Sequence, residues 1–280
     1  MTEIIKKFIS KDLYIRTATL VSTDMVAHIQ NIQKTSPIPT VAIGRAVTGA
    51  LLMAAGLKKG HKIGLHFNGQ GPLKTVFAEA NFLGECRGCT GNPELDIPLQ
   101  EKNIKVGQAL GNGQLTVAHN QLGKKGRYSG TVEFASGEIA DDIALFLYQS
   151  QQIPSLVSLG VYLDEFARVK AAGGIIMELM PGAPESTIEK LEKNAMEASN
   201  ISELIMDGKD ATDIAKIFMK DFEIEDLEFD QEVKYRCECS IERVKRSLKC
   251  LDPKDHEKII QGGENVDITC EFCGKVYRIP

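Results

Sequence analysis

Arg236-Cys237-Glu238-Cys239-Ser240 and Thr269-Cys270-Glu271-Phe272-Cys273-Gly274 form two close cysteine pairs separated by 30 residues near the C-terminus. Pairs at this spacing, brought together by a loop with structure of its own, match a tetrahedral structural zinc site. The Cys-x-x-Cys-Gly half is a knuckle in which backbone amides can point at sulfur and Gly274 can take a positive φ. The residues therefore predict one zinc per chain on Cys237, Cys239, Cys270 and Cys273, the bland alternative being free thiols in a small core. A tail of about 48 residues has too little core to fold securely alone, so a structural metal would supply much of its stability, on the order of 10 kcal/mol. Thiolates are also the form that oxidants attack, and oxidation would turn each pair into a disulfide and eliminate the ligands.

Working outward from the pairs, Ser240 is placed to cap a short helix with the apolar stripe Ile241, Val244, Leu248 and Leu251. Asp252-Pro253 and Gly262-Gly263 bracket a second helix, and Val266 and Ile268 alternate into Cys270. Upstream, Glu178 to Glu232 holds 16 acidic and 5 basic residues, a formal charge of −11. Self-repulsion should leave this stretch marginally ordered unless it docks, the bland alternative being a solvated face. A helix is expected to open at Ser186-x-x-Glu189, a capping box ahead of Ile188, Leu191, Ala195 and Met196. Before about Leu179, strands are expected at Leu13 to Leu20, Lys62 to Phe67, Thr75 to Glu79, Gln114 to His119 and Arg127 to Phe134. Helices are expected at Thr40 to Lys58 and Ile139 to Gln151, an α+β pattern. The organisation read from this is an α+β core domain over 1–179, an acidic helical linker over 180–232 and a four-cysteine zinc domain over 233–280.

Three further cysteines lie outside the pairs. Cys86 and Cys89 read as two strand-turn thiols, the alternatives being a disulfide between them or an accessory redox role. Cys250 falls away from its helix's apolar stripe and is expected to face solvent as a further accessory thiol. The five histidines form no metal spacing. No catalytic constellation is evident.

Composition narrows the class. With 43% hydrophobic and 25% charged residues the chain is globular, and seven cysteines without an export signal suggest a reducing, cytoplasmic setting. The most apolar run, Val41 to Leu57, is interrupted by Arg45 and Thr48 and reads as a buried helix, so no membrane partner is expected. A net charge of −5 disfavours nucleic acid. No phosphate-loop motif occurs, and Gly69-x-Gly71 and Gly111-x-Gly113 read as tight turns. From the residues alone, three functions compete: a redox-switched chaperone, a zinc-ribbon nucleic-acid binder and a thiol-disulfide oxidoreductase.

Gly44-Arg45-Ala46, Gly69-x-Gly71-Pro72-Leu73, Gly137-Glu138-Ile139-Ala140-Asp141-Asp142, Gln152-x-Pro154-Ser155, Ala171-Ala172-Gly173-Gly174 and Met180-Pro181-Gly182 join the cysteine pairs as landmarks. Together they make the chain resemble the heat shock protein 33 family, bacterial redox-regulated holdase chaperones. The resemblance implies zinc on Cys237, Cys239, Cys270 and Cys273, no enzyme activity and no need for ATP. It also implies that oxidation under unfolding stress releases zinc, unfolds tail and linker, and favours an active homodimer that holds unfolding client proteins.

Overall fold

The computed structural model describes residues 2–95, 104–121, 127–248 and 266–279. In chain order, β1 (Ile4–Ser10) and β2 (Ile15–Val21) lead into α1 (Thr23–Gln33) and α2 (Pro37–Ala54). Next come β3 (His61–Gly69), β4 (Thr75–Asn81), β5 (Glu85–Thr90), α3 (Val106–Leu110), β6 (Gly113–Gln121) and β7 (Arg127–Glu133). Then follow α4 (Ile139–Gln151), β8 (Ser155–Leu163), β9 (Val169–Leu179), α5 (Glu185–Glu197), α6 (Ile201–Met206) and α7 (Ala211–Phe218). The C-terminal part holds β10 (Ile224–Asp226), β11 (Gln231–Glu232), β12 (Lys234–Tyr235), α8 (Ile241–Leu248), β13 (Val266–Thr269) and β14 (Val276–Ile279).

These elements make the α+β fold. One sheet runs β10-β1-β2-β9-β8 with β11 also on β1, and a second runs β12-β5-β4-β3-β6-β7. Helix α2 lies between them and packs on β4, β5, β8 and β9. It is apolar on nearly every side, and 83% of it is buried, which is what an all-round apolar helix requires in a globular protein. By length and composition it could cross a membrane; here it is the core helix. Its one cation, Arg45, pairs with Glu138 at 2.6 Å, so two of the sequence landmarks meet in one ion pair.

Both helix boundaries expected at Thr40 and Lys58 move. Pro37 starts α2 earlier because its fixed φ suits the first helical turn. The helix ends at Ala54, where Lys7 Nζ donates to the Ala55 carbonyl at 2.7 Å and satisfies a terminal acceptor. The helix at Ile139–Gln151 agrees with the sequence reading.

Helices α5, α6 and α7 cover the outer face of the first sheet. Their Leu191, Ile201, Leu204, Ile214 and Phe218 form a second apolar cluster with Ile15, Ile175 and Met177 of β2 and β9. Gly173 permits this approach, since a Cβ there would lie 2.6 Å from the Ile205 side chain. The capping box expected at Ser186 is absent: the N-cap lies two residues earlier, at Pro184, and has no side-chain cap. The box forms instead at α7, between Asp210 and Asp213. The buried stripe of α5 is also rotated from the expected one, to Thr187, Leu191 and Asn194, leaving Met196 85% exposed.

The acidic run from Asp221 to Glu232 is docked as edge strands, so this region is not wholly helical. β10 and β11 pair antiparallel with β1, placing Ile224 opposite Ser10 and Glu232 opposite Ile4. Lysines of β1 and its turn receive the carboxylates: Lys6 binds Asp230, and Lys11 binds Glu223 at 2.6 Å. Opposite charge on the host strand offsets the self-repulsion of the guest. Between Glu232 and Lys234 the chain passes directly from one sheet to the other, with Val233 buried and β12 parallel to β5.

Candidate metal centre

The first cysteine pair follows β12. Lys234 N–H donates to the Gly84 carbonyl and Arg236 N–H to the Cys86 carbonyl, both at 2.9 Å, while Arg236 pairs with Glu85 at 2.5 Å. Cys237 and Cys239 are thus held against a core strand. Helix α8 follows, capped as its sequence predicts by Ser240 Oγ, which accepts from Arg243 N–H at 3.3 Å. The second pair sits at the turn of the β13–β14 hairpin. Gly274 N–H donates to the Cys270 carbonyl at 2.8 Å and Cys270 N–H to the Lys275 carbonyl at 2.9 Å, with Gly274 at φ 69°. That φ favours glycine because no Cβ clashes with the backbone.

All four sulfurs lie within 4.8 Å of one another and are half-buried. Cys237 Sγ is 3.7 Å from Cys270 Sγ, and Cys239 Sγ is 3.4 Å from Cys273 Sγ. Four metal–sulfur bonds of about 2.3 Å in a tetrahedron place sulfurs about 3.8 Å apart. Both separations lie within about 0.4 Å of that spacing, so the cluster is of the size a tetrahedral metal site needs. Burial pushes the Cys237 thiol up to about 12. For Cys239, burial also acts upward, but hydrogen bonds from the Tyr277 hydroxyl and the other thiols outweigh it and bring the thiol down to about 7. Four thiols so close cannot all ionise unaided; a divalent cation reverses that by offering each thiolate a positive partner.

The knuckle is also fastened to the core. The Phe272 ring stands edge-on to Phe77 with centroids 5.9 Å apart, and the Arg87 guanidinium lies 4.4 Å from its centre. Its carbonyl accepts from Gln33 Nε2 at 3.0 Å and from the Tyr235 hydroxyl. Gln33 Nε2 also reaches the Gly88 carbonyl at 2.6 Å, bridging knuckle and β5. Cysteines of the cluster thus flank a core contact through Cys270-Glu-Phe272-Cys273.

The structure therefore brings together Cys237, Cys239, Cys270 and Cys273, but not the other thiols. Cys86 and Cys89 lie within β5 rather than at its turn, both buried and free. Three residues apart on a strand, their side chains point to opposite faces, which opposes a disulfide between them. Burial raises both, Cys89 to about 12, so neither is a ready thiolate at neutral pH. Cys250 and the helix expected after Asp252 lie outside the described residues. Sequence reasoning missed Phe272 and Tyr277. An aromatic between two closely spaced cysteines was a signal for the first; Tyr277, alternating with Val276, gave only a strand signal.

Fold and centre define a class: a two-sheet α+β core wrapped by an acidic helical segment and closed by a four-cysteine site able to hold a metal. The family model described as Hsp33 protein matches residues 3–280. The 33 kDa chaperonin of a Synechococcus strain is 38% identical over 268 residues, covering 95% of this chain and 83% of its own. That of Agathobacter rectalis is 36% identical, covering 99% and 96%. The crystal structure of the 33 kDa chaperonin, a heat shock protein 33 homolog, from Thermotoga maritima superposes with a TM-score of 0.87 at 30% identity, covering 100% of this chain and 95% of that one. The chain belongs to the Hsp33 family and is a chaperone of that type.

Proposed function

We propose that the chain is a redox-regulated, ATP-independent holdase in the cytoplasm that binds unfolding client proteins under oxidative stress. In the reduced form Cys237, Cys239, Cys270 and Cys273 hold one zinc. Four soft sulfur donors in a closed tetrahedral set favour zinc over harder divalent ions, and when bound the zinc serves as a structural cross-link. Oxidation of each close pair to a disulfide removes two ligands. The zinc domain, 233–280, then loses the cross-link that shapes its knuckle.

The observation that carries this reading is the coupling of the cluster to the core through Phe272. A knuckle that loses its ligand geometry cannot keep Phe272 between Phe77 and Arg87. The two-residue strands β12 and β11 come next in the path, and they have few ladder bonds with which to resist release. The linker, 180–232, would then detach from the core domain, 1–179, uncovering the cluster around Ile15, Ile175 and Met177 together with the linker's own apolar faces. Surfaces of this kind suit an unfolding client and a second copy of the chain, so the oxidised form is a homodimer in this reading.

Zinc release and suppression of client aggregation, measured in one sample before and after peroxide treatment under mild heat, test the proposal. Both should rise together, without added ATP. Equal suppression by reduced and oxidised protein would remove the switch.

A further inference from the structure

We infer that Tyr277 is a positioning residue of the metal centre, its phenol governing how firmly Cys239 is held as a ligand and how readily that sulfur is oxidised. This deepens the zinc reading above and rests on it. The Tyr277 hydroxyl donates to Cys239 Sγ at 3.0 Å. Tyr277 belongs to the second half of the site and Cys239 to the first, so the bond braces the two halves across the cluster.

The hairpin aims the phenol. In the β13–β14 register Tyr277 stands opposite Ile268, and Arg278 grips Asp267 with two hydrogen bonds of 2.8 Å. Alternation along β14 turns Val276 and Arg278 outward and Tyr277 inward, where it is 9% exposed. The turn that sets Cys270 and Cys273 is thus the one that delivers the phenol to the other pair. Lys275 Nζ, 5.1 Å from the centre of the Tyr277 ring, completes the setting.

A hydrogen bond to an anionic sulfur is charge-assisted and withdraws electron density from it. A thiolate so engaged is a weaker nucleophile toward peroxide. In the oxidation itself the sulfur gives an electron pair to one peroxide oxygen and the O–O bond breaks, leaving sulfenic acid and hydroxide. A neighbouring thiolate then attacks the sulfenic sulfur, expelling a second hydroxide and closing the disulfide. Removing the phenolic O–H leaves sulfur more electron-rich, which lowers resistance to peroxide, and the ligand less firmly oriented, which lowers metal retention.

The test uses the full reduced chain, wild type and Tyr277→Phe, which keeps the ring and deletes only the hydroxyl. Cobalt(II) is the probe, because its sulfur-to-metal charge-transfer band reports electron density on the ligands. In the variant the band should move to lower energy. Zinc affinity by chelator competition should fall about tenfold, within the range found for partners that orient metal ligands, and zinc release by peroxide should be faster. Tyr148→Phe, on the exposed face of α4 and 62% exposed, is the control; its band should stay in place. An unchanged band and affinity in Tyr277→Phe, or an equal shift in Tyr148→Phe, would overturn the role of Tyr277 alone. Wild type that takes up no cobalt would overturn the metal reading itself, and this inference with it.

Discussion

Replacing Asn194 with Leu should hold the linker on the core and blunt activation. Asn194 lies on the buried stripe of α5 with Thr187 and Leu191, is 1% exposed, and neither atom of its amide has a hydrogen-bonding partner among the described residues. A buried polar group left unpaired costs about 1–3 kcal/mol. Leu has the same branched shape with two methyl groups in place of the amide nitrogen and oxygen. It removes both unpaired groups and adds helix propensity of a few tenths of a kcal/mol. Allowing for strain from its larger volume, the docked linker should gain about 2–3 kcal/mol, a decrease of roughly 30- to 150-fold in the detached population. Hydrogen exchange of reduced protein reads this directly: amides of α5 and α7 should exchange more slowly in Asn194→Leu, and the variant should require harsher oxidation to suppress client aggregation. Faster exchange in α5 would refute the reasoning, because it would mean that the amide makes favourable bonds that Leu abolishes.

Phe272→Ala should loosen the knuckle from β4 and β5 by about 2 kcal/mol through lost burial and the lost Phe77 edge contact. It should leave one zinc per chain but raise chaperone activity of the reduced form, as zinc content and aggregation assays can check. Cys270→Ser should lower zinc affinity sharply, and full zinc content in a chain lacking both Cys270 and Cys273 would disprove the ligand assignment. Glu3 predicts a pH dependence: burial raises it from the usual 4.5 to about 7, although Asp24 N–H at 2.7 Å and Met25 N–H at 3.0 Å donate to its two oxygens. The protonated form is favoured by folding, so its stabilising contribution is complete below about pH 4.5 and lost as pH rises through about 7. Thermal unfolding midpoints should therefore fall less between pH 5 and 7.5 in Glu3→Gln than in wild type, and parallel curves would argue against it. After oxidation, amides from Thr187 to Phe229 should lose protection; if they do not, the linker is not the element through which the switch acts.

Much of this chain is legible from local chemistry. Two cysteine pairs, Ser240 before an amphipathic run and a glycine after Cys273 announce a four-sulfur cluster able to hold a metal through covalent spacing and backbone freedom, which a sequence displays directly. The all-round apolar run after Thr40 announces a core helix in the same way. What depends on contacts between distant residues was not legible. Seven acids between Asp221 and Glu232 read as self-repelling until β1 supplies Lys6 and Lys11 from more than two hundred residues away. A capping box at Ser186 is locally sound, yet Pro184 and the packing of Thr187, Leu191 and Asn194 rotate α5 to another face. The four cysteines mark a candidate metal cluster by themselves, but only the tertiary structure decides that Phe272 ties it to the core and that Tyr277 reaches Cys239. Spacing along a chain limits which atoms can meet; which of them do meet is settled by the packing of surfaces that sequence neighbours do not share.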